Sequence, residues 1–227
     1  TNIHFVIQSE PMADSTTPHD EAYENLRIIR SLMERASIYR ALSAPAALFG
    51  GVLALAAGLW GYRHSLGSSH DAFAPREFLI TWLIILGLSG TLNLFLLLHD
   101  ASRRGQSFLS EGLRVALRVL IPPLLSGGVL GIGLICQSGQ VLTATLVWIL
   151  CYGLALQATM SFAPKSLIRL ARAFLVSGQI LTVAWAVTGG FSGADSPASV
   201  AWLLMGLTFC LCHIVYAGAI FLSNSSH

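Results

Sequence analysis

Six apolar runs dominate this chain, near 43–62, 78–98, 117–136, 141–161, 172–190 and 199–222, and none contains an acidic residue. A helix needs about 20 such residues to cross a bilayer core. In lipid every backbone N–H and C=O must be satisfied within the chain, so each run is expected to be a helix. Only 11% of the residues are charged, against about 25% in soluble domains. The expected fold is all-α and integral to the membrane, with six transmembrane helices. The first forty residues are polar, which predicts no removable signal peptide.

Orientation follows from the cations. With the N-terminus in the cytoplasm, eleven fall inside: Arg27, Arg30, Arg35, Arg40, Arg103, Arg104, Arg114, Arg118, Lys165, Arg169 and Arg172. Arg63 and Arg76 alone fall outside. This bias predicts a multi-pass protein of a cell's inner, cytoplasmic membrane with both termini cytoplasmic. The cations sit at helix ends and the net charge is only +2, so nucleic acid is not an expected partner.

The expected divisions are a polar arm at 1–16, a cytoplasmic amphipathic helix at 17–42, the bundle at 43–222 and a short polar tail at 223–227. Thr17 as N-cap, Pro18 at the first helical position and Asp20 in the first turn mark the helix start. Leu26, Ile29, Met33 and Ala36 then recur at spacings of three and four, giving one apolar stripe. Arg30 and Glu34 are placed to pair one turn apart. Too polar to span, this helix is expected at the membrane surface or on the inner ends of the bundle, as a contact element.

Small residues recur every fourth position in the first span, at Ala46, Gly50, Ala54 and Gly58. The third span repeats the feature at Gly127 and Gly131, where GGVL 127–130 matches GGVL 50–53, and the fifth carries Gly178, Thr182 and Ala186. Such strips let neighbouring backbones approach closely. In the even spans, Trp82, Trp148 and Trp202 each precede a glycine by four or five residues and fall in the outer part of the helix, where an indole reaches the interface. Together these echoes predict three hairpins descended from one, with the odd helices packed along their small strips.

No carboxylate lies at depth, which weighs against ion-coupled transport. There is no aspartate pair, HExxH or GxSxG for intramembrane proteolysis. The polar residues inside the spans are Asn93, Gln157, Gln179 and His213. They read first as fasteners between helices, and alternatively as the lining of a polar pocket. Cys210 and His213 share a helix face and could offer a metal two ligands, with Cys151 or His99 as distant supplements, but a closed zinc site needs four. His99 and His213 differ in depth, so paired axial ligation of a haem is poorly matched. No cofactor is expected. The four cysteines, Cys136, Cys151, Cys210 and Cys212, read as small apolar residues, and Cys210 and Cys212 point to different faces, unfit for a disulfide. His64, His70 and Asp71 read as parts of a solvated connector.

The segment 26–45, with Ile29, Arg30, Met33, Glu34, Arg35 and Ala36 forming an IRxxMERA core, resembles the N-terminal part of uncharacterised bacterial multi-pass membrane proteins. The three-hairpin layout is similar in architecture to six-span bacterial proteins of the HdeD type. Both resemblances imply a bacterial membrane protein, and neither implies catalytic residues. The function expected is that of a non-enzymatic helix-packing subunit or sensor acting through a protein partner. Its contacts would be the lipid bilayer and a homo-oligomer or larger membrane complex. The alternatives are a channel or carrier for a small neutral or apolar solute, and a metal- or cofactor-dependent membrane enzyme.

Overall fold

Helices are the sole regular structure among the described residues of the computed structural model, which are 21–30, 43–67, 75–103, 111–161, 163–191 and 196–225. Helix α1 covers residues 21–30. It is followed by α2 (Ala44–Gly67), α3 (Pro75–Arg103), α4 (Glu111–Ser138), α5 (Val141–Ala158), α6 (Lys165–Val187) and α7 (Pro197–Ser225). The last six are each long and apolar enough to cross a membrane. The chain forms two units, one holding α1 and the other α2–α7.

In its own unit, α1 exposes both the polar and the apolar residues of its sequence. Glu24 and Arg27 pair at 3.7 Å across one turn. Leu26 and Ile29, from the predicted stripe, are 61% and 52% exposed. Met33, Ala36 and Glu34, the predicted partner of Arg30, lie outside the described residues.

Helix boundaries follow the termination chemistry. Ser43 starts α2, its Oγ accepting the Ala46 N–H, the arrangement of an N-cap. Helix α4 ends where Gly139 adopts φ +64°, a conformation that costs glycine little. The Gly139 and Gln140 N–H groups then fold back on the carbonyls of Ile135 and Leu134. Pro122 and Pro123 lie within α4. Proline has no N–H, so the carbonyls of Arg118 and Val119 lack their usual intrahelical donors.

The dominant packing in the bundle is α2 against α7, followed by α4 against α5 and α5 against α6. At the α2–α7 crossing a Cβ built on Gly58 would lie 2.7 Å from Gly206 Cα, so the backbones are in direct contact. The small strips therefore meet even-numbered spans, correcting the expectation that odd helices pack together. Gly58 meets α7, while Gly127, Gly131 and Gly178 meet Cys151, Trp148 and Leu150 of α5. Gly50 faces Ser89 of α3, whereas Ala186 is exposed. The strips of α4 and α6 are taken up by α5, their neighbour in sequence, and the strip of α2 by α7, where the first and last long helices meet.

Helix α3 is the loosest member. Only 6% of its apolar window is buried, and it packs modestly on α2 and less on α4.

Candidate functional site

Because α3 and α4 barely touch, a partly open cavity of about 650 Å³ lies among α2, α3, α4, α5 and α7, with Leu167 of α6 at its edge. Its walls are overwhelmingly apolar, and no Asp, Glu, Lys or Arg side chain lines it among the described residues. The lining runs from Trp82 to Leu97 on α3 and from Ala116 to Ile132 on α4. At 1.5 Å of rise per residue each wall is about 22–24 Å long.

One end of the cavity is closed by aromatic rings. Phe78 contacts Trp82, Trp148 and Trp202, with centroids 6.0, 6.2 and 4.9 Å apart. Trp202 also meets Trp60 edge-on at 6.1 Å. Trp82 and Trp202 are buried, at 5% and 0% exposure, so they form an internal plug and do not anchor the helices at an interface. Glycines make the room: the Trp202 ring lies over Gly61, and the Trp148 ring over Gly131. The indole N–H groups of Trp82 and Trp148 have no hydrogen-bond partner among the described residues.

Towards the other end sits His213, enclosed by Tyr152, Phe174 and Phe209 with centroids 5.8, 5.5 and 5.8 Å away. His213 Nδ1 lies 2.8 Å from the Phe209 carbonyl oxygen. A carbonyl only accepts, so Nδ1 carries the proton and donates. The neutral ring then has its lone pair on Nε2, which accepts from the Tyr152 hydroxyl at 3.1 Å. Both nitrogens of His213 are thus committed within the protein.

Asn93 also lines the cavity, and its Oδ1 accepts the backbone N–H of Ser43 at 3.3 Å, tying α3 to the start of α2. Thr159 at the same end donates to the Leu156 carbonyl at 2.7 Å. Of the lining polar groups, Ser89 Oγ lacks a partner among the described residues; it rests against Gly50.

The four intramembrane polar residues do not converge. Asn93 and His213 share the cavity, but Gln157 and Gln179 do not line it. Gln157 donates to Met160 Sδ at 3.0 Å and leaves its buried Oε1 without a partner among the described residues. Gln179 lies on the exposed face of α6, one residue and about 100° round the helix from buried Gly178. Depth alone placed them together; azimuth separates them.

Cys210 is buried against Gly51, close to His213 on the same helix. Among the described residues no three His, Cys, Asp or Glu side chains form a group able to hold a metal. Cys136, Cys151, Cys210 and Cys212 are all free thiols. His99 stacks on Phe95 on an exposed face and His64 stacks on Trp60; His70 and Asp71 lie outside the described residues. The cavity itself escaped sequence reasoning, because its walls are ordinary apolar positions whose only signal is a scarcity of contacts around α3.

Compared with known proteins, the chain matches no family model, no curated protein and no solved structure.

Proposed function

We propose that the chain is a non-enzymatic, six-span protein of an inner membrane that binds a largely apolar molecule within its bundle, as a sensor or a carrier. The observation that carries this reading is the cavity: about 650 Å³, within the 300–1,000 Å³ range of ligand sites. Its walls are overwhelmingly apolar, and Asn93, Tyr152, Thr159 and His213 bond within the protein, which favours a largely apolar guest. With both His213 nitrogens engaged, a general base is missing from its lining, so binding is favoured over chemistry. Both termini are cytoplasmic in this proposal, supported by the positive-inside count. The three-hairpin descent gains support from the meeting of Trp148 and Trp202 on Phe78, itself one turn from Trp82.

Thermal unfolding of the purified protein with alkanes, long-chain alcohols and compact polycyclic compounds tests the reading. At least one class is expected to stabilise saturably, by about 2.7 kcal/mol at a hundred times its Kd. Absence of stabilisation by every class would retire it.

A second proposal concerns α1. Its exposed Leu26 and Ile29 suit a protein partner in a homo-oligomer or larger complex. Leu26→Glu with Ile29→Glu is then expected to release a stoichiometric complex formed in native membranes, and an unchanged assembly would count against it.

A further inference from the structure

We infer that the occupant of the cavity is an extended acyl chain with an anionic head group, taken in sideways from the bilayer between α3 and α4. The inference rests on the binding reading above and narrows it.

Shape comes first. The lining runs about 22 Å along both α3 and α4, so an extended chain can be in contact over the whole length of the slot, whereas a compact ring system would occupy only part of it. With carbon–carbon bonds of about 1.5 Å in a staggered zigzag, about 22 Å accommodates roughly 16–18 carbons.

The way in is the seam between the two long walls. Helices α3 and α4 make the fewest contacts of the neighbouring pairs around the cavity. Small residues reduce the barrier there: Gly90 on α3 and Gly128 on α4 both line the slot, and a Cβ on either would meet nothing within 4 Å. A guest crossing this seam passes from lipid to protein without entering water.

Polarity sets its direction. The far end is closed by Trp82 and Trp148, against which a methyl terminus can rest. At the other end the lining residues Ala116 and Leu117 are bracketed on α4 by the exposed Arg114 and Arg118. Their guanidinium groups offer bidentate recognition to a carboxylate or a phosphate. The head thus belongs at this end and the tail against the tryptophans.

Two sources share this chemistry, a free fatty acid and an anionic phospholipid inserting one chain. Native mass spectrometry of delipidated full-length protein with stearate, stearyl alcohol, a phosphatidylglycerol and 1-adamantanol separates them. One stearate or one phosphatidylglycerol is expected per chain, and a preference between them identifies the source. Gly128→Phe, which fills the slot without an initial clash, is expected to weaken this binding at least tenfold while the melting temperature holds. Arg114→Gln with Arg118→Gln should weaken the anionic ligand several-fold and leave stearyl alcohol unchanged. Adamantanol binding without stearate or phosphatidylglycerol would overturn the inference while sparing the wider proposal. Failure of all four to bind would overturn both, and acyl binding indifferent to Gly128→Phe would remove it from this slot.

Discussion

At the scale of single residues, the glycines divide by what surrounds them. Gly58 and Gly206 leave no space for a methyl group, so Gly58→Ala is expected to destabilise the bundle by about 1–3 kcal/mol through overpacking. Gly133 has nothing within 4 Å of the same position, and Gly133→Ala should change stability by no more than about 0.5 kcal/mol. Reversible unfolding in mixed micelles measures both; equal effects would contradict the crossing. Tyr152 and His213 form the second test. Tyr152→Phe removes the donor to Nε2, and the expected loss is about 0.6–1.7 kcal/mol, the range of interhelical hydrogen bonds in membranes. A double-mutant cycle with His213→Leu should recover that coupling. The Gly58 strip was legible in the sequence because small residues at a spacing of four mark a close-packing face. Which helix it would meet was not legible, since spacing along one helix says nothing about the partner across from it. Gln179 carries the same lesson: its depth could be read from the sequence, whereas its facing required the bundle.

At the scale of elements, α3 is the exception to the packing. Its attachment includes the Ser43–Asn93 hydrogen bond and the contacts of Phe78 with Trp148 and Trp202. Asn93→Ala removes the first, with an expected loss of about 1 kcal/mol, typical of a helix-start bond, and faster amide exchange at the first turn of α2. Unchanged exchange there would show that the bond does not hold the two helices together. All six long helices could be located from their apolar runs, yet their ends were set by other chemistry. The run near 172–190 belongs to a helix that begins at Lys165, because Lys and Arg side chains reach back to water while their backbone stays helical. The run near 117–136 likewise extends to Glu111 and Ser138. Helix α1 shows the reverse relation: its stripe was visible in the sequence, but a stripe does not name the surface that covers it.

At the scale of the whole molecule, the bundle combines one tight seam with one open seam. Backbone contact fastens α2 to α7, while α3 and α4 stand apart and leave the cavity between them. Composition and hydropathy revealed the number of long apolar helices, but a cavity is a property of several helices at once and leaves no mark on any one of them. The orientation proposal has its own test. A cysteine placed at Ser138 in an otherwise cysteine-free chain should react with an impermeant maleimide from outside intact cells, and reaction only after lysis would reverse the topology. The most direct measurement is a structure determined in a lipid bilayer. One elongated density is expected between α3 and α4, running from the Trp82–Trp148 plug towards Arg114 and Arg118. A closed seam, with α3 and α4 side chains interdigitated and the cavity gone, would contradict it.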